Sequence, residues 1–168
     1  SDNTEQDIGF NVFGELDTVS LLAFAGTGDA FVKTWYDQSG NSNDATQTTT
    51  ANQPKIVSSG AVIVENGKPA VEFDGSSNIL DASLTIPNDF TAIITGLSTN
   101  TISNQKFIAD ETNSKGQLFV NAGNYNWYDG STVTLLESAD VLRHLFFVSA
   151  DSGGSFVSID GADQTITG

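Results

Sequence analysis

The feature that most constrains this chain is its punctuation. Short apolar runs rich in β-branched and aromatic residues are cut apart by turn dipeptides: Asn-Gly at 66–67, Asp-Gly at 74–75, 129–130 and 160–161, and Gly-Gly at 153–154. Such dipeptides tolerate the positive φ of tight hairpins, and runs this short read as strands. They are AFVKTWY (30–36), PKIV (54–57), AVIVE (61–65), AVEF (70–73), TAIITGL (91–97), KFIAD (106–110), QLFVNA (117–122), YNWY (125–128), STVTLL (131–136), LRHLFFVSA (142–150) and SFVSID (155–160). Many short strands closed by turns predict an all-β fold, an antiparallel β-sandwich.

One short helix interrupts the pattern, near residues 18–25. Asp17 or Thr18 can cap it, Leu21, Leu22 and Phe24 give it an apolar face, and Gly26 can end it in the left-handed conformation. At about two turns it depends on packing to hold. No repeat and no linker divides the 168 residues, so a single β-sandwich domain over 1–168 is expected. The chain begins SDNTEQ, without Met and without a basic stretch leading into an apolar run, which reads as an excerpt of something longer.

Charge and composition exclude several functions. The net charge is −15, from 21 acidic and 6 basic residues. Nucleic-acid binding needs a basic footprint that displaces counterions, so no nucleic-acid partner is expected. Anionic membranes repel such a chain, and no run reaches the length of a bilayer span, so no membrane insertion is expected. Without Cys there is no disulfide, thiol nucleophile or thiolate metal site. Only 16% of residues are charged, which leaves a surface of Ser, Thr, Asn and Gln compatible with secretion or a virion exterior.

Four constellations carry candidate chemistry. WYDQSGNSNDATQ (35–47) offers the hard oxygen donors Asp37, Asn41, Asn43 and Asp44, which suit Ca2+. Its bland counterpart is an Asx-rich turn in which Asp37 caps loop N–H groups and Gly40 supplies positive φ. An EF-hand is excluded, because the Gly is out of place and Thr48 stands where a bidentate Glu belongs. NYNWYDG (124–130) gathers Tyr125, Trp127 and Tyr128 among Asn124, Asn126 and Asp129, the aromatic-plus-amide chemistry that stacks on sugar rings and bonds their hydroxyls. Its alternative is that Trp127 belongs to the core, where Trp35 is expected beside Phe31. Glu65 and Glu72 could face each other across neighbouring strands as a carboxylate pair, or be ordinary solvent-facing acids. His144 is the only His, which rules out multi-His zinc sites. With no Gly-x-Ser-x-Gly elbow beside it, it is read as structural. GTGDAF (26–31) lacks the Lys of a phosphate-binding loop.

Three segments in order, WYDQSGNSNDATQ with NQPKIV, NGKPAVEFDGSSNIL (66–80) and RHLFFVSADSGGSFVSIDGA (143–162), resemble laminin-G-like, concanavalin A-like jelly rolls. The set is most similar to modules in tail fibres, appendages or capsid-decorating proteins of bacteriophages, and the first two segments resemble the β-sandwich of arabinofuranosidases. The resemblance implies a non-catalytic module on a virion surface or in the extracellular space. It would bind host-surface glycans or join other virion proteins, with a homo-oligomer as a further option and Ca2+ as the only cofactor to consider. It also implies that the sandwich is incomplete at its termini, leaving an open sheet edge. The rival implications are a glycoside hydrolase domain and a purely structural assembly domain, because the fold hosts all three.

Overall fold

The computed structural model describes residues 3–83, 90–99, 105–109, 117–128, 133–139, 144–151 and 154–164. The chain is all-β with one α-helix among the described residues, and every described strand pairing is antiparallel. It divides into two compact units, Ser1–Leu84 and Thr85–Gly168.

The first unit contains α1 (Thr18–Ala25) and eight short strands: β1 (Ala30–Phe31), β2 (Thr34–Trp35), β3 (Ala45–Thr46), β4 (Lys55–Ser58), β5 (Ala61–Val62), β6 (Val64–Glu65), β7 (Lys68–Pro69) and β8 (Asp81–Ala82). Asp17 caps α1, accepting from the Ser20 backbone N–H at 3.2 Å and the Ser20 hydroxyl at 2.6 Å. Those two bonds lower its pKa, the hydroxyl bond most. Gly26 ends the helix at φ 59, as expected, but with ψ −127. That pair lies outside the left-handed helical region and is open essentially to glycine alone. The core is small: Leu21 from α1 meets Ala30, Ile56 and Val57 from β1 and β4, with Leu22 and Val62 packed against them.

The run 30–36 does not form one strand. It breaks at Val32 and Lys33, so β1 pairs with β4 while β2 pairs with β3 in a different sheet. The alternation expected to bury Phe31 and Trp35 together therefore does not carry across the break. Both are exposed, Trp35 at 54% and Phe31 at 46%, which corrects their expected place in the core. AVEF likewise contributes only a bridge, Lys55 to Glu72.

The second unit holds two four-stranded sheets. One has the order β10 (Gln105–Ile108), β11 (Gln117–Asn121), β12 (Asn124–Tyr128), β13 (Val133–Ser138). The other runs β16 (Ala162–Gln164), β15 (Gly154–Ile159), β14 (His144–Asp151), β9 (Phe90–Gly96). One cluster draws on both: Leu118, Val120, Tyr125 and Trp127 from the first, Phe146, Val148, Val157 and Ile159 from the second. This is sandwich-like packing, with period-2 alternation sending every second side chain inward. Phe107 fills the interval beside Phe146, ring centroids 5.1 Å apart. A Cβ on Gly96 would stand 3.0 Å from the Phe107 ring, so a larger residue there requires the ring to give by a few tenths of an ångström.

Among the described residues, four two-residue hairpin turns have positive φ at both central residues, the pattern of a type I′ turn. Asn66-Gly67 and Asp160-Gly161 are the expected pair; Ser59-Gly60 and Ala122-Gly123 are the other two. Asp-Gly 74–75 closes no hairpin. Asp74 accepts from the backbone N–H groups of Ser76, Ser77 and Asn78, which with the Ser77 hydroxyl hold its pKa down at about 2. Asp-Gly 129–130 lies outside the described residues.

Candidate functional site

The aromatic segment of the second unit is not a surface patch. Tyr125 is 0% and Trp127 1% exposed, and both point into the cluster between the two sheets. The cause is β12's central position: it is flanked by β11 and β13, and its inward positions face Phe146 and Phe90. Neither ring can offer a face to a sugar, which corrects their assignment as carbohydrate contacts. Asn126 is also buried, its amide donating to the carbonyls of Asn121 and Asn124. Asn124 and Tyr128 are half-buried, and Asp129 lies outside the described residues.

The loop after β2 is stitched by its own oxygens. Asp37 accepts from the Ser39 backbone N–H and hydroxyl, both at 2.7 Å, and from the Asn43 N–H at 3.0 Å. These donors, the Ser39 hydroxyl first, lower its pKa. Asp44 accepts from the Asp37 N–H at 2.8 Å, while the Asn41 amide donates to the Ser39 hydroxyl at 3.0 Å. Gly40 has φ +83, and Ser42 also takes positive φ, at +59. The geometry is that of nested Asx turns, in which Asp37 and Asp44 already serve as acceptors. Among the described residues no group of three or more His, Asp or Glu is gathered as a metal site would need.

Glu65 and Glu72 do not face each other across neighbouring strands. Glu65 pairs with Lys68 in the β6–β7 hairpin, and Glu72 bridges Lys55 beside β4. His144 is 8% exposed, edge-on to Tyr125 with ring centroids 5.2 Å apart. Its Nδ1 lies 2.7 Å from Asp160 Oδ2, and Asp160 Oδ1 accepts from the Leu145 N–H at 2.8 Å. Asp160 thus ties the β15–β16 turn to the start of β14, consistent with a structural His.

Exposed aromatics also stand in the first unit, where Phe31, Trp35 and Tyr36 line a groove of about 1320 Å3. Trp35 and Tyr36 from the end of β2, and Phe31 from β1, form part of its wall. The N-terminal segment supplies Glu5 and Asp7. Tyr36 donates its hydroxyl to Asp7 at 2.8 Å, and that carboxylate pushes the phenol pKa up. Lys33 donates to both oxygens of Glu5, at 2.6 and 2.8 Å. Asp29, at the same groove, accepts from Lys55 at 2.8 Å, and that bond lowers its pKa. The loop described above braces this wall: Gln38 lines the groove and its amide donates to the Tyr36 carbonyl at 2.9 Å. No protein-family model, curated protein or solved structure matches the chain.

What the groove offers is half-exposed aromatic rings beside carboxylates and amides, with Tyr36 held to Asp7 by a hydrogen bond. This set suits stacking on an apolar ring face while polar groups meet its hydroxyls. Trp35 and Tyr36 were visible in sequence as the aromatic pair that enters the Asx loop. Their exposure was not, because it depends on the break at Val32 and Lys33. The contribution of Glu5 and Asp7 had no local sequence signal; it arises from pairings across 28 and 29 residues.

Proposed function

We propose that this chain is a non-catalytic β-sandwich module of a virion or other extracellular protein, and that it binds glycans in the groove of its first unit. The observation that carries the reading is the exposure of Trp35 and Tyr36 on the wall of a groove that also holds Asp7 and Gln38. Large aromatics are ordinarily buried, so exposed ones on a concave polar surface ask for a ligand. The motif resemblance to laminin-G-like phage modules, and a surface rich in neutral polar residues, support the extracellular setting. The non-catalytic half is supported by the state of the groove acids. A glycosidase needs a carboxyl with raised pKa, whereas the bond from Lys55 lowers that of the groove's Asp29.

A saccharide array with purified protein tests the reading. Binding is expected to disappear in Trp35→Ala while thermal stability changes little, because an exposed side chain contributes within about 0.5 kcal/mol. Retained glycan binding without Trp35 would sink the groove assignment. Purely structural assembly is the second reading, favoured by one observation: Ile93, Leu145, Phe147 and Phe156 all stand exposed on the outer side of the β16–β15–β14–β9 sheet. Phe147 and Phe156 are edge-to-face there at 6.0 Å. Tight contact with another virion protein through that face, with no glycan bound, would replace the first reading by the second.

A further inference from the structure

Resting on the glycan reading, we infer that the groove selects glycans bearing free amino groups and rejects anionic ones. The charge pattern is the reason. Residues 1–84 contain twelve Asp and Glu, three Lys and no Arg. All three lysines are already engaged: Lys33 with Glu5, Lys55 with Asp29, and Lys68 with Glu15. Lys55 also stands 5.6 Å from the centroid of the exposed Phe31 ring, so the unit already holds one cation over an aromatic face. A uronate or sulfated sugar needs an Arg or Lys to receive its charge, and this unit has none to spare among the described residues. Asp7 is the converse. It lines the groove, is exposed, and accepts a neutral hydroxyl from Tyr36 with no cation partner among the described residues.

A sugar ammonium would meet the Asp7 carboxylate and the π-faces of Trp35 or Tyr36 at once. An exposed ion pair and an exposed cation–π contact together correspond to about a 3- to 30-fold gain in affinity. Both terms weaken in salt, because exposed charges are screened.

The experiment titrates the full chain calorimetrically with three tetrasaccharides: β-1,4-linked glucosamine, its fully N-acetylated form, and oligogalacturonate. The glucosamine tetramer is expected to bind about 3- to 30-fold more tightly than the acetylated one at low salt. The advantage should shrink at high salt and vanish in Asp7→Asn, with acetylated binding retained. Oligogalacturonate is expected not to bind. Equal affinities, a preference for oligogalacturonate, or an amine preference that survives Asp7→Asn overturns the inference while leaving glycan binding intact. Amine binding that survives Trp35→Ala also overturns it, because the ligand is then on the acidic surface outside the groove. If none of the three binds and an array of neutral and charged glycans is also silent, the glycan reading itself fails, and the inference with it.

Discussion

Trp127 carries the second unit's sharpest energetic test. Its indole is fully buried between the sheets, yet Nε1 is the one buried side-chain nitrogen or oxygen among the described residues with no hydrogen-bond partner. An unsatisfied buried donor costs about 1–3 kcal/mol. Trp127→Phe removes that donor and leaves a void of roughly 40 Å3, which at about 24 cal/mol per Å3 costs about 1 kcal/mol. The lost apolar contact, on the order of 40 Å2 at about 25 cal/mol per Å2, costs about 1 kcal/mol more. The two sides nearly cancel, so Trp127→Phe is expected to lie within about 1 kcal/mol of the wild type, whereas Trp127→Ala falls by about 3–5 kcal/mol. Urea denaturation followed by far-UV circular dichroism measures both. A loss of more than about 3 kcal/mol in the Phe variant would show that Nε1–H is satisfied and that the cancellation argument is wrong. The Phe variant also leaves Trp35 as the sole tryptophan, so its fluorescence becomes a direct probe of the groove.

Three further outcomes follow from local geometry. Asp74 has a folded pKa of about 2 against an ordinary 3.8, so its contribution is fully present above pH 3.8 and is lost as pH falls through about 2; acid titration of stability should show this loss in the wild type and a shallower one in Asp74→Asn, and an equally steep loss in both would refute it. At Gly60, φ is +77 and an added Cβ would lie 3.0 Å from the Gly26 carbonyl and 3.1 Å from Thr27 Cα, whereas at Gly67, φ +74, nothing is within 4 Å. Gly67→Ala should cost about 1–2 kcal/mol for its left-handed backbone alone, and Gly60→Ala measurably more in the same denaturation assay; equal costs would remove the role of the close approach. Asp160→Ala strips the acceptor from both buried His144 Nδ1 and the Leu145 N–H, and is expected to lose about 1–3 kcal/mol with slower exchange protection lost first at Leu145 by amide hydrogen exchange; an unchanged Leu145 amide would show that the clamp is not carrying the β14 end.

The sequence was legible where structure is set locally. The α1 span, the Asp17 cap, the Asn66-Gly67 and Asp160-Gly161 turns, and the long strands β9, β11, β12, β14 and β15 all follow from short-range chemistry. The two-residue strands β3 and β8 carry too little pattern to be read, and Ala122-Gly123 was missed because alanine rarely takes the φ of +50 it has here. The site was misplaced for a different reason. Composition marks both 35–36 and 124–128 as aromatics beside amides, and nothing local says which group is buried. That depends on whether the strand is flanked on both sides and faced by another sheet, as β12 is, or is a two-residue strand like β2.

The largest rings of the two units therefore have opposite fates: Trp127 is buried and Trp35 is exposed. In the second, Tyr125, Trp127, Phe107, Phe146 and Phe90 face inward and hold two sheets together, and His144 joins them as one more ring with Asp160 on its nitrogen. In the first, the core is held by small and aliphatic residues around Leu21, and the rings of Trp35, Tyr36 and Phe31 are left outside it. Burial of a Trp typically contributes more than burial of a Val or Ala, because the hydrophobic term scales with area. A fold that builds its core from Ala30 and Val57 while leaving Trp35 exposed forgoes that stabilisation. The physical content of the functional proposal lies there: the apolar area that the first unit does not bury in itself is the area a ligand can bury instead, so ligand binding should raise the stability of the first unit.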